Sequence, residues 1–243
     1  MKKALTPVLV TVIIGLFLWA IAVLTADTAL NLQKKGYLNV TGYAKERITS
    51  DLGYIEATIV TEGKKLKDCY KKLAEDRDKI KKFLKEQYSV TDDEFEMRHA
   101  SIEEVYKKNN KGIRTSTLDK YILEQSLKVE STDVQKITKV ASGLIDIVGE
   151  GVRISIDRPV YVYTKLDDLK VQMIARASAN ARERVKAVTK YGKVRLGPIA
   201  SVRIGVFQIT PVHSTRVSDY GINDTTTIEK EIKSVVGIKY FVK

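Results

Sequence analysis

The sequence holds one cysteine, two histidines, four prolines and one tryptophan in 243 residues. A single cysteine excludes an intrachain disulfide and a cysteine-based zinc site. The two histidines, His99 and His213, stand far apart and leave little for metal binding or histidine-based catalysis. Four prolines exclude a proline-rich linker protein. Aromatic residues are only 7% and are not interleaved with the lysines, which argues against a nucleic-acid interface. Acidic residues number 30 against 42 basic ones, a net charge of +12. That balance suits an anionic partner such as a lipid surface or an envelope polymer, although lysines spread along the chain also serve as solvated faces. Hydrophobic residues at 44% and this length describe a globular chain of one or two domains able to bury a core.

One long uncharged run is present. After Lys2 and Lys3 no charge occurs until Asp27. Val8, Ile13, Ile14, Leu16, Phe17, Leu18, Trp19, Ile21, Val23 and Leu24 lie in this stretch. As a helix it would span about 30 Å, the thickness of a hydrocarbon core. Two readings stand. In the first, residues 1–26 are an uncleaved single-pass anchor in the cytoplasmic membrane, contacting lipid, with a basic start inside and the body exported. In the second they are a signal peptide, and the mature protein is soluble in the periplasm. Leu24 sits at the third position before a cut after Ala26 and Asp27 before a cut after Ala29, both poor, so the anchor is preferred. Residues 27–35 read as a polar tether.

Beyond Gly36 the period alternates between two and 3.6. Leu38, Val40 and Gly42 alternate with polar neighbours, and Ile55, Ala57 and Ile59 repeat the pattern. From Lys64 to Tyr88, Leu66, Tyr70, Leu73, Ile80, Phe83 and Leu84 make a helical stripe, with Cys69 beside it as a small core residue. Phe95, Met97 and His99, then Tyr121, Leu123, Leu127 and Val129, predict a hairpin with a long polar loop at 107–112. A helix is expected from Thr132, where Thr132 and Gln135 fit a capping box, to Gly149 or Gly151, with Val134, Ile137, Val140, Ala141, Leu144 and Val148 inward. Val152, Ile154, Ile156 and then residues 160–163 are extended. Thr164 is placed to cap a third helix with Leu166, Leu169, Met173, Ala177, Ala181, Val185 and Val188 on one face, thin enough for close approach to a sheet. Residues 201–209 alternate as a strand, followed by a polar loop to Thr227 and a last apolar segment. The class is α+β, a mostly antiparallel sheet packed with about three helices.

Chemistry is sparse. His213, Ser214 and Asp219 supply the residue types of a hydrolase triad, but no strained nucleophile turn or oxyanion hole is signalled, so the loop reads as a connection. Asp219, Asn223 and Asp224 fit no calcium-loop spacing. The adjacent Asp167 and Asp168 suit a helix start. No catalytic, cofactor-binding or metal-ligating residue is assigned.

Several segments resemble the SIMPL-domain family of exported bacterial envelope proteins. They are Asn39-Val40-Thr41-Gly42-Tyr43-Ala44-Lys45-Glu46 with Thr49-Ser50-Asp51, residues 163–170, Ala181-Arg182-Glu183-Arg184-Val185, Gly205-Val206-Phe207-Gln208-Ile209-Thr210-Pro211, and Ser218-Asp219-Tyr220-Gly221-Ile222-Asn223-Asp224-Thr225. Within these, Thr41, Gly42, Asp51, Gly205, Phe207, Pro211, Ser218, Asp219, Tyr220, Gly221, Asn223 and Asp224 carry the motif. The likeness covers about residues 36–243 as one α+β domain and is weakest over 64–130. It implies an envelope protein that assembles into a homo-oligomer, closing as a ring if the contacts are head to tail. It implies neither an enzyme activity nor a cofactor.

Overall fold

The computed structural model describes residues 15–23, 25 and 36–242. The proposed tether and about half of the apolar run, including Val8, Ile13, Ile14 and Leu24, lie outside the described residues. The elements are β1 (Gly36–Thr49), β2 (Leu52–Gly63), α1 (Leu66–Tyr88), β3 (Phe95–Lys108), β4 (Arg114–Ser131), α2 (Val134–Gly143), a 3-10 helix (Leu144–Glu150), β5 (Ile154–Ile156), β6 (Val160–Val162), α3 (Leu166–Gly192), β7 (Leu196–Ile204), β8 (Gln208–Pro211), β9 (Ile222–Asn223) and β10 (Glu229–Val242). This is the expected α+β class. All but one of the recorded strand pairings are antiparallel, the exception being β8 with β9. Contacts divide the chain into two compact units, a central one of residues 45–170 and 207–233 and a terminal one of residues up to 44, 171–206 and 234–243.

In the central unit one sheet runs in the order β3-β4-β2-β5, with β6 also on β2. β2 alternates without a break, and Ile55, Ala57 and Ile59 are buried together with Leu123, Leu127 and Val129 of β4. Over them pack α1 and α2, through Cys69, Leu73, Ile80 and Leu84 and through Val134, Ile137 and Val140. The α1 stripe differs from the sequence reading in its first turns. Cys69 is buried while Leu66 and Tyr70 are exposed, because the inward line continues from Leu73 back through Cys69 at a four-residue step. Asp76 is also on the buried line and pairs with Lys72 at 2.5 Å.

The second helix is capped one residue later than the sequence suggests. Asp133, not Thr132, accepts from the backbone amides of Gln135 and Lys136. A carboxylate is the stronger acceptor at that terminus, where the helix dipole adds to the bond. The α-helix ends at Gly143, and the chain then tightens into the 3-10 helix, which buries Ile147 in place of Val148 and ends at Gly151 (φ 80°).

In the terminal unit, α3 and β1 meet at close range. A methyl group added at Gly42 would lie 1.9 Å from the Ala177 carbonyl oxygen and 2.8 Å from the Ala181 side chain. Only glycine facing alanine permits that approach. Met173, Ala177, Ala181 and Val185 are buried, whereas Val188 is exposed. The segment read as one strand over 201–209 is two. β7 pairs with residues 236–242 of β10, and β8 pairs with residues 230–233, with Gly205–Phe207 between them outside any strand.

Candidate functional site

The motif residues fall into three groups, which the fold puts to different uses. The first group ties turns together. Asp51 accepts from the backbone amide of Thr164 at 2.7 Å and from its hydroxyl at 2.8 Å. Thr164 thus spends its hydroxyl on Asp51 rather than on capping α3, and α3 starts two residues later. Asp224 accepts from the amide and hydroxyl of both Thr226 and Thr227. Burial opposes its ionisation, but those donors hold the carboxyl below the ordinary range. Its own amide donates to the Ile209 carbonyl, and the next carbonyl, of Thr225, accepts from Tyr161.

Beneath this turn lies a charged group that sequence reasoning missed. Lys230 is 2% exposed and donates to the Tyr161 carbonyl at 2.6 Å. Burial pushes its ammonium below the ordinary lysine range, and the charge of Asp224 counters that in part. On the next residue Glu231 is held between Lys45 at 3.4 Å and Lys233 at 3.3 Å, and Lys233 also donates to the Ser214 carbonyl. What hides Lys230 from pattern reading is its setting: Glu229, Glu231 and Lys233 flank it, and a charged stretch of this kind reads as a solvated strand end although Lys230 and Glu231 are buried.

The second group shapes the loop after β8. The Gln208 side chain grips Ser218 from both sides, donating to its carbonyl at 2.7 Å and accepting from its amide at 3.2 Å. Ser218 and Gly221 close a tight turn, with Gly221 at φ 86°. The turn presents Tyr220 to solvent, 98% exposed, with Asp219 also outside. Among the described residues no hydrogen bond joins the His213, Ser214 and Asp219 side chains. The Ser214 hydroxyl accepts instead from the Arg216 amide. Nor does any group of three or more His, Cys, Asp or Glu side chains among the described residues have the geometry of a metal site. Pro211 and Phe207 serve through their carbonyls, which accept from Ser214 and Ile222, and Asn223 is exposed on β9.

The third group belongs to the terminal unit. Besides Gly42, it includes Thr41, whose carbonyl accepts from Arg184 at 2.9 Å, and Gly205, whose amide donates to the Val235 carbonyl. A shallow basin of about 340 Å³ opens on this unit, lined by Asn39, Thr41, Ser201, Arg203 and Lys239, with Gly237 in its floor. Its lining carries two cations and no acid, a setting for a small anion or a polar chain.

A family model for SIMPL, a protein of unknown function (DUF541), matches residues 38–236. The chain belongs to the SIMPL family. No curated protein matches it significantly. The SIMPL match takes in the whole central unit, with its hairpin of β3 and β4, and residues 38–44, 171–206 and 234–236 of the terminal unit, and the motif residues named above all lie within it.

The SIMPL domain also leaves one apolar surface open. In the β7–β10 pair, Ile204 stands opposite Val236, Val202 opposite Ile238, Ile199 opposite Tyr240 and Leu196 opposite Val242. Directly opposed residues share a face. The β10 members Val236, Ile238 and Tyr240 are buried, yet Ile204, Val202, Ile199 and Leu196 are 51%, 51%, 53% and 40% exposed. Among the described residues β7 has no strand on its other edge.

Proposed function

We propose that this chain is a non-enzymatic, membrane-anchored envelope protein whose exported SIMPL domain assembles with copies of itself. The observation that carries the reading is the β7 edge. A strand with one open edge and four aliphatic residues about half exposed is a template for a further strand or a covering surface. Completing the burial of the four would contribute on the order of 4 kcal/mol before association costs. A second copy supplies a partner of matching chemistry, and cyclic contacts between copies would close a ring with every N-terminus available to one bilayer.

The anchor reading draws on residues 15–23, which are helical with Leu16, Phe17, Leu18, Trp19, Ile21 and Val23 all exposed. No helix among the described residues is by itself long and apolar enough to cross a membrane. The support is the uncharged sequence from Ala4 to Ala26 that contains this helical stretch.

Two experiments test the two halves of the proposal. After alkaline carbonate washing of membranes, the full-length protein should stay in the pellet. A soluble protein with its mature N-terminus at Asp27 would replace the anchor with a cleaved signal. Cross-linking in intact membranes should give a ladder of multiples of the monomer mass, and a monomer band alone would contradict assembly.

A further inference from the structure

The hairpin of β3 and β4 extends past the sheet that holds it. β4 pairs with β2 only from Tyr121 onward, so among the described residues the part from Arg114 to Lys120 has β3 as its sole strand partner. From residue 98 to residue 120 no side chain is buried. A two-stranded ribbon of this kind gains little from a core.

The tip has a defined charge and shape. Between residues 105 and 118 there are four basic side chains, Lys107, Lys108, Lys111 and Arg114, and no Asp or Glu. Among the described residues none of the three lysines is in an ion pair. Lys108 and Arg114 stand directly opposite each other in the ladder. Like charges so placed repel and destabilise the pair, so the tip is improved by an external anion. The turn is nonetheless held in one shape. The Asn109 side chain accepts from the amides of Lys111 and Ile113, both at 3.0 Å, its own amide donates to the Ile113 carbonyl, and its carbonyl accepts from the Gly112 amide. Gly112 takes the left-handed conformation (φ 77°), and the Thr115 hydroxyl donates to the Lys107 carbonyl at 2.9 Å. Arg114 lies over the Tyr106 ring at 4.2 Å. This scaffold leaves Ile113, opposite Asn109 at the foot of the 110–112 turn, 59% exposed and in sequence between Lys111 and Arg114.

We propose that this tip docks on an anionic lipid surface, with the lysines among the headgroups and Ile113 in the interfacial layer. A linear polyanion would satisfy the charges but would gain nothing from Ile113, whereas a bilayer rewards both. The inference goes beyond the reading above and needs neither the anchor nor self-assembly. Each basic residue near an anionic surface adds roughly fivefold to partitioning, so removing three lysines should lower it on the order of a hundredfold.

The test uses the full-length chain with Trp19→Phe and Ile113→Trp, which makes the tip carry the single indole. It is reconstituted in vesicles of phosphatidylcholine alone or of phosphatidylcholine with phosphatidylglycerol. The proposal expects a blue-shifted emission, quenched by brominated acyl chains, only when phosphatidylglycerol is present, and reversed by high salt. Adding Lys107→Gln, Lys108→Gln and Lys111→Gln should abolish the shift while leaving the thermal midpoint in place. Equal emission in the two lipids, or a shift that survives the three glutamines, would overturn it. So would a shift given by soluble polyphosphate but by neither vesicle, which would assign the tip to a polymer. Should carbonate washing release the protein, the same indole is read with vesicles added to the soluble chain, so loss of the anchor and loss of the tip contact are told apart.

Discussion

β2 and β7 are both alternating strands, and they end in opposite circumstances. β2 has strands on both edges and two helices against its apolar face, and Ile55 and Ile59 are wholly buried. β7 has one strand partner among the described residues, and its aliphatic side chains on the shared face stay about half exposed. Alternation reports that a strand has an apolar side; it does not report whether the molecule itself covers that side. Where the cover is internal, the strand belongs to the core and its mutations unfold the protein. Where the cover is missing, the strand belongs to an interface and its mutations should change association alone.

The largest expected effect tests the covered side of the terminal unit. Gly42→Ala places a methyl group against the Ala177 backbone, which cannot yield without moving α3. It should destabilise by about 3 kcal/mol or more in denaturant titration; a loss under about 1 kcal/mol would mean that α3 is not closely seated on β1. Next, Ile59→Ala in β2 should cost about 3 kcal/mol, while Ile199→Ala in β7 should cost less than about 1 kcal/mol in the dissociated chain. Similar losses at both positions would erase the distinction.

A smaller effect concerns Glu94 in the central unit. Burial opposes its ionisation, but the Ser131 hydroxyl, the Thr91 amide and the Lys136 ammonium together hold the carboxyl at about 2. Its folded value lies below the ordinary 4.5, so its contribution is complete above that pH and is lost as the pH falls toward about 2. Glu94→Gln should therefore cost roughly 2 kcal/mol near neutrality and flatten the acid limb of the stability profile. An unchanged acid limb would count against this network. The smallest effect is expected at Tyr220, where Tyr220→Ser should leave stability within about 0.5 kcal/mol because the side chain touches solvent only.

Much of the fold was legible from period alone. The alternations around Val40 and Ile55, the amphipathic helix at 66–88 and the alanine-thinned face of the third helix are properties of neighbouring residues, and neighbours are what a sequence displays; that this face meets Gly42 is not. What was not legible depends on distant groups. The alternation from Ser201 to Gln208 runs on across Gly205–Phe207, yet the chain changes from one stretch of β10 to another there, and only pairing reveals it. Thr164 looked like a cap until Asp51, more than a hundred residues away, claimed its hydroxyl. Thr132 and Asp133 are both capping residues, and local geometry chose the carboxylate. Of the site, the motif positions were readable as a pattern. That Asp51 binds the amide and hydroxyl of Thr164, and that Lys230 is buried against the Tyr161 carbonyl, was not, because those partners come from distant elements; the Asp224 turn is local, its donors being Thr226 and Thr227, and was open to reading as an Asx turn.

The most direct test of the central claim is light scattering of the full-length chain in mild detergent beside a Val202→Glu, Ile204→Glu double variant. Two carboxylates on the exposed row should leave each protomer folded, with an unchanged circular dichroism spectrum, but make a shared apolar contact costly. The account predicts a particle of several chains for the natural sequence and a monomer for the variant. A natural chain that scatters as a monomer at every concentration, or a variant that assembles as well as the natural chain, would contradict it.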